Sequence, residues 1–139
     1  MIFVFVEDGT LEVVESVHEA RRHYEGVDVE SSVYHFFDED GSFLEPLFTK
    51  DNRYGKFLGL FLWSASGEYD LIPNPKATDE PIGLYLAETT HLAPNPWFDS
   101  MEEIRTYFLN RGISLEFDTS AKVSKEGGTW KSTGDGNPP

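Results

Sequence analysis

The sequence predicts an α+β fold: an antiparallel sheet of about five to seven strands, built from hairpins, with two capped helices on one face. Three observations lead to this prediction. Short β-rich runs are separated by tight turn signals such as Asp8-Gly9 and the acidic segment 38–42. Two segments carry a helix-capping box ahead of an amphipathic stripe. The resulting order, ββαββββ and then αβ, has few crossovers, which argues against a doubly wound parallel sheet.

The strands are predicted where short apolar or alternating runs lie between turn residues. Segment 57–63 is almost wholly apolar, and it is predicted to be a central strand covered on both faces. Residues 82–87 fit either a strand or a short helix, because periodicity does not separate the two. The remaining predicted strands are 2–6, 11–14, 33–37, 43–48, 69–72 and 113–117.

Two helices are predicted from capping boxes that begin with serine. Ser16 precedes Glu19 by three residues, and Ser100 precedes Glu103 by three, which is the spacing of a capping box. Gly26 and Gly112 are placed to end these helices. The residues expected to face the core are Val17, Ala20 and Tyr24 in the first helix and Met101, Ile104 and Phe108 in the second.

Length and composition predict a single domain. Of the 139 residues, 39% are hydrophobic, which is enough for one core without disulfide or metal staples. The chain has no cysteine, so no thiolate chemistry is expected. Residues 1–117 are predicted to form the domain and residues 118–139, rich in Gly, Ser, Thr and Pro, a flexible tail. The sequence contains neither a signal-peptide pattern nor a long apolar span, and we expect a cytoplasmic protein.

Acidic residues are concentrated in the first third of the chain. Residues 1–48 contain twelve Asp and Glu against two Arg, a net charge of −10, while the whole chain carries −14. Such asymmetry bears on partners and association rates rather than on fold. It favours a basic protein partner and argues against binding to nucleic acid or to an anionic membrane.

The residue patterns of known catalytic and metal sites are absent from the sequence. The acidic segment 38–41 fails as a calcium loop, because Phe36 and Leu47 would occupy the first and last ligand positions. The glycines match neither a phosphate loop nor a dinucleotide fingerprint. His35 is expected on the outer face of its strand, and the basic residues of segment 50–56 in a solvated loop. We therefore predict no catalytic residue, no metal and no cofactor. An alternative is a small enzyme that uses His91 with a nearby carboxylate as a general base.

The remaining hypothesis is an acidic binding surface. If the two acidic hairpins are neighbours in one sheet, their tips present a continuous negative patch, and aromatic side chains supply anchors. This predicts a small inhibitor of the immunity-protein type that neutralises a basic toxin or nuclease by protein–protein interaction. A further alternative is an acidic regulatory module or a mimic of a nucleic-acid backbone. The predicted partner-binding residues are Glu7, Asp8, Glu12, Asp38, Glu39, Asp40, Tyr34 and Trp97.

Overall fold

A six-stranded mixed sheet forms the centre of the fold in the computed structural model, which describes residues 1–59, 61–74, 76 and 80–117. The predicted tail, 118–139, lies outside these residues. The α+β class is confirmed. The elements in chain order are β1 (Ile2–Val6), β2 (Thr10–Val14), α1 (Val17–His23), α2 (Gly26–Glu30), β3 (Tyr34–Phe37), β4 (Phe43–Lys50), β5 (Arg53–Phe57), β6 (Phe61–Ala65), β7 (Glu68–Pro73), α3 (Ile82–Glu88), β8 (His91–Leu92) and α4 (Met101–Asn110).

The main sheet is antiparallel except at one edge. Its strand order is β7-β4-β3-β1-β2-β8. Short turns join the antiparallel pairs β1–β2 and β3–β4, and longer segments join the antiparallel pairs β1–β3 and β4–β7. At the far edge β8 runs parallel to β2, with Thr10 opposite His91 and Leu11 opposite Leu92. A two-residue strand has no readable period, so the sequence did not reveal it. The sheet is therefore mixed rather than wholly antiparallel.

Helices cover both faces of the sheet, which corrects the prediction of two helices on one face. Strand β1 is the reason, because its successive side chains point to opposite faces and both sets are buried. On the α3/α4 face, Phe3 and Phe5 pack with Phe98, Ile104 and Phe108. On the α1/α2 face, the buried cluster contains Ile2, Val4, Ala20, Tyr24, Val29, Phe36, Leu44, Tyr69 and Leu71.

Ser16 and Ser100 cap α1 and α4 as predicted, but one of the two predicted helix ends differs in the structure. The hydroxyls of Ser16 and Ser100 accept hydrogen bonds from the amides of Glu19 and Glu103, each at 3.2 Å. Gly112, with φ of 79°, follows α4 as predicted. Gly26 does not end α1, since that helix ends at His23. It begins α2 instead, where a Cβ would lie 2.6 Å from the side-chain oxygen of Asn52.

Two ambiguous or incorrect strand predictions concern the C-terminal half of the chain. The open choice at residues 82–87 resolves as the helix α3. Residues 113–117, predicted as a last strand, pair with no strand. Their partly buried members Ile113 and Leu115 pack instead against the cluster on the α3/α4 face. The alternation of apolar residues in this segment correctly indicated burial of every second side chain. The segment is not a strand, because no strand within the described residues pairs with it.

Strands β4 to β7 form one long two-stranded ribbon. Lys50 lies opposite Glu68, and Arg53 opposite Ala65, so β5 and β6 continue the β4–β7 pair beyond a short break. The predicted central strand 57–63 is therefore wrong. The chain turns inside that apolar run, at Leu58 and Gly59, whose φ values are 53° and 68°. A leucine beside the glycine gave no ordinary turn signal, because bulky residues rarely adopt positive φ.

Candidate functional site

The two acidic turns that were expected to form one patch lie at opposite ends of the sheet. Strands β1 and β3 are antiparallel, with Val6 opposite Tyr34 and Phe3 opposite Phe37. The β1–β2 turn therefore lies beside the start of β3, and the β3–β4 turn lies at the other end of β1. Five strand residues separate the two ends by roughly 17 Å. The continuous patch from both hairpin tips is not formed.

The acids of the β3–β4 turn hold local structure together. The Asp38 carboxylate accepts hydrogen bonds from the amides of Asp40 and Ser42, each at 2.9 Å. The Asp40 carboxylate pairs with the Arg111 guanidinium at 2.9 Å, and Glu39 pairs with the Met1 amino group. These contacts close the turn and tie it to the end of α4. Two of the three charges are thereby balanced by a neighbouring cation.

At the other end of the sheet, predicted and unpredicted acids meet around Tyr34. Glu7 and Asp8 belong to the β1–β2 turn, and the Glu7 amide donates to the Val33 carbonyl at 3.0 Å. Burial raises the pKa of the Tyr34 phenol, and the negative charges nearby raise it further. Those charges belong to Asp28, Glu12, Glu25 and Asp8. We call the set Glu7, Asp8, Glu12, Glu25 and Asp28 the acidic end.

Glu12 and Asp8 are held in defined positions within the acidic end. The Tyr24 hydroxyl donates a hydrogen bond to the Glu12 carboxylate, and burial together with this bond raises the pKa of Tyr24. The Asp8 carboxylate accepts a hydrogen bond from the Thr10 amide at 2.9 Å, which lowers the pKa of Asp8. His91, in the edge strand, adds a smaller lowering of the Asp8 pKa. The hydrogen bonds from Tyr24 and Thr10 therefore orient the carboxylates of Glu12 and Asp8.

Four of the five arginines in the described residues, Arg21, Arg22, Arg105 and Arg111, pair with acids outside the acidic end. Their side chains reach Asp70, Glu19, Glu102 and Asp40. Within the described residues, the one ion pair that involves the acidic end joins Glu12 to the His23 ring, 3.8 Å away. The acidic end therefore keeps its negative charge without a lysine or arginine in contact. Glu25 and Asp28 were not predicted as part of this surface. They lie at the start of α2, which the fold brings next to the β1–β2 turn.

A cleft of about 280 Å³ lies on the α3/α4 side of the same end. Its walls include Glu7, His35, Glu80, Tyr85 and Glu88. The His35 ring lies 5.2 Å from the Tyr85 ring, between centroids, and burial lowers the pKa of this histidine. His35 was expected on the outer face and instead faces this cleft. The alternation of β3 contained the signal, because His35 has the same parity as the buried Phe37.

Trp97 lies in a neighbouring cleft rather than in the acidic end. That cleft, of about 260 Å³, is lined in part by Trp97, Glu15, Glu19 and His23. His23 also approaches Glu12, so the cleft adjoins the acidic end along β2 and α1. Of the eight predicted partner-binding residues, the structure brings Asp8, Glu12 and Tyr34 together, and Glu7 lies in the same turn as Asp8 and lines the cleft on the α3/α4 side. It places Trp97 to one side and Asp38, Glu39 and Asp40 at the far end of the sheet.

Comparisons with known proteins identify no relative. No protein-family model matches the chain, and neither a curated protein nor a solved structure was found to be similar to it. In the described ranges, no group of three or more His, Cys, Asp or Glu side chains is arranged to hold a metal ion. The helices within those ranges are each too short or too polar to span a bilayer.

Proposed function

We propose that this protein is a small binding protein of the immunity type, which inhibits a basic protein partner such as a toxin or nuclease through its acidic end. The observation that carries the proposal is the clustering of four acids, Asp8, Glu12, Glu25 and Asp28, around Tyr34 without a contacting lysine or arginine in the described structure. Complementary charge accelerates encounter with a basic partner, and an inhibitor benefits from rapid capture. Tyr34, half-buried at the centre of the cluster, is the aromatic contact.

The experiment begins with a partner isolated by the tagged protein from its native host, followed by binding kinetics at several salt concentrations. We expect kon to fall as salt rises, because charges are screened over about 8 Å at physiological ionic strength. The double substitution Glu25→Gln with Asp28→Asn should lower kon with little change in koff. Both residues are exposed, so the fold should tolerate the change.

A matched control removes the same charge elsewhere. Glu102→Gln with Glu116→Gln also neutralises two exposed acids, but these residues lie on α4 and on the segment after it. This control should leave kon close to that of the unmodified protein. An acidic partner, or equal effects of the two double substitutions, would contradict the proposed function. Tyr34→Ala should chiefly raise koff, which separates contact from steering.

A further inference from the structure

The end of the ribbon exposes an unusual amount of apolar side chain. We call residues 52–67, which contain β5 and β6, the arm. The exposed fractions are 62% for Phe57, 77% for Leu58, 81% for Leu62 and 46% for Trp63. Phe57 and Trp63 lie on one face of the two-stranded ribbon and Leu62 lies on the other, so both faces are apolar. Exposed apolar side chains concentrated in this way mark interaction surfaces in soluble proteins. An isolated two-stranded hairpin is also marginally stable in water, so the arm gains from being covered.

The arm is fixed at its base and free of the core at its tip. The Asn52 side chain donates to the Gly26 carbonyl at 2.9 Å and accepts from the Gly67 amide at 2.7 Å. The Tyr54 hydroxyl donates to Glu30 at 2.8 Å. These contacts join the arm to α2 and set its direction. A Cβ on Gly55 would lie 2.4 Å from the Trp63 ring, so this ring packs directly against the backbone of the opposite strand, where only glycine leaves room for it.

The arm carries positive charge in a strongly negative protein. Between residues 52 and 67 the sequence has Arg53 and Lys56 and no acid. Neither cation forms a salt bridge with any described residue, although acids outnumber basic residues 25 to 11 in the chain. The arm therefore presents apolar and basic groups together. A complementary surface must offer carboxylates beside something that can exclude water from leucine and phenylalanine.

The acidic end offers such a surface, and it lies at the same end of the sheet as the arm. Strand β4 runs antiparallel to β3, as β1 does, so β1 and β4 point the same way. The turn after β1 carries Glu7 and Asp8, and the continuation of β4 becomes the arm. One end of the molecule thus holds a basic, apolar projection and an acidic surface side by side. Two such ends are complementary to each other when related by a two-fold axis.

We propose that two copies of this chain associate through this end about a two-fold axis, with the arm of each copy lying across the acidic end of the other. A two-fold interface uses the same surface on both copies, so each arm-to-acid contact occurs twice and the assembly closes. Packing of arm against arm alone would instead bring Arg53 and Lys56 of both copies together, which like-charge repulsion opposes. The inference goes beyond the proposed function, and a basic partner would compete with the second copy for the acidic end.

The first test is the oligomeric state of the full chain by sedimentation velocity over a range of protein concentrations. We expect a concentration-dependent dimer whose Kd rises with salt. Phe57→Ser with Leu62→Ser should raise Kd by at least about tenfold, because two apolar side chains lose their cover. Leu47→Ser with Leu109→Ser removes exposed leucines outside the arm and should leave Kd unchanged. A monomer at all concentrations would overturn the proposal, and so would a dimer indifferent to the arm substitution.

The second test asks which surfaces meet, through charge reversal in two separate proteins. One variant carries Arg53→Glu and Lys56→Glu. The other carries Asp8→Lys, Glu25→Lys and Asp28→Lys, three reversals that leave the five-acid end with a net positive charge. Each variant alone should be monomeric, since its arm and acidic end now have the same sign. An equimolar mixture should form a heterodimer, because both contacts in it join opposite charges. Failure of the mixture to associate while both variants keep the circular dichroism spectrum of the unmodified protein would overturn the arm-to-acid contact.

A lipid surface is the competing explanation for an exposed apolar tip. Vesicles of phosphatidylcholine alone and vesicles with added phosphatidylserine provide the probe. Trp97→Phe with Trp130→Phe leaves Trp63 as the one tryptophan of the sequence, so its emission reports insertion. We expect no shift of this emission with either vesicle. A monomer that binds vesicles through the arm would overturn the two-fold dimer. None of these measurements uses the basic partner, so the outcome is independent of the proposed inhibitor function.

Discussion

Ser16 and Ser100 show how a single side chain fixes the start of a helix. Each hydroxyl accepts a hydrogen bond from the backbone amide of the residue three positions later. That amide lies in the first turn of the helix and would otherwise lack a hydrogen-bond partner. At α4 the Glu103 carboxylate accepts a further hydrogen bond from the Asp99 amide, at 2.8 Å. Local sequence alone is enough to predict such a contact, because all participating atoms lie within one turn.

Replacing Ser100 with alanine should lower the free energy of unfolding by about 1 kcal/mol, since N-cap removal typically costs this amount. Urea unfolding of the purified variant would measure the change. Ser100→Asp retains an acceptor at the same position and should restore most of the loss. An alanine variant as stable as the unmodified protein would show that the bond at this helix start contributes little.

Tyr69 makes stability sensitive to alkaline pH. Its hydroxyl donates to the Tyr24 carbonyl at 2.8 Å inside the core, and burial raises its pKa to about 12. The unfolded chain releases this proton near pH 10, so stability is fully present below that pH and falls between about pH 10 and 12. Burial also raises the pKa of Tyr24, so part of the loss in this range belongs to that residue.

Tyr69→Phe should therefore flatten the alkaline loss of stability while costing about 1 kcal/mol at neutral pH through the lost hydrogen bond. Thermal unfolding of both proteins at a series of pH values from neutral to strongly alkaline would test this. Identical alkaline slopes for the two proteins would contradict the assignment of that loss to Tyr69.

At the scale of elements, α4 is the best test of amphipathic packing. Ile104 and Phe108 are fully buried against β1, while Leu109 of the same helix is exposed. Ile104→Ala should lower the free energy of unfolding by about 2–5 kcal/mol because it leaves a cavity in the core. Leu109→Ala is the control and should change it by less than about 0.5 kcal/mol. Similar, negligible effects of both substitutions would mean that this face of α4 is not docked.

Elements with short-range signals were predicted well, and these include the strands β1, β2, β3, β4 and β7. The errors include the apolar run 57–63, the short edge strand β8 and the segment 113–117. The α4 start, its buried stripe and the closing Gly112 could be read from adjacent residues. The apolar run 57–63 was misassigned because hydrophobicity was taken to mean burial, whereas here it lies on a projecting arm. The edge strand β8 was missed because its two residues form a strand only through their contact with β2.

At the scale of the whole molecule, the composition of the acidic end depends on how distant strands and helices pack, which cannot be read from the sequence alone. Charge density predicted an acidic surface, and Asp8, Glu12 and Tyr34 do meet. The sequence could not place Asp38 to Asp40 at the opposite end, because this depends on the antiparallel pairing of β1 with β3. Nor could it bring in Glu25 and Asp28, which chain reversal at α2 carries to the same surface.

Removal of residues 119–139 should leave the domain folded, because the described core is closed by residues up to Leu115. The melting temperature of the shortened protein is expected to lie within a few degrees of that of the full chain. Differential scanning calorimetry of the two proteins measures the difference. A much larger loss would mean that side chains after residue 118, such as Trp130, contribute to the core.

The position of β1 at the centre of the sheet has a consequence for how the protein is made. Phe3 packs against Phe108, with ring centroids 4.7 Å apart, and against Phe98. On the ribosome, Phe3 emerges about a hundred residues before these partners. During that interval the central strand lacks its cover on one face. Chains released before α4 is translated would be substrates for chaperones and proteases rather than partly active protein.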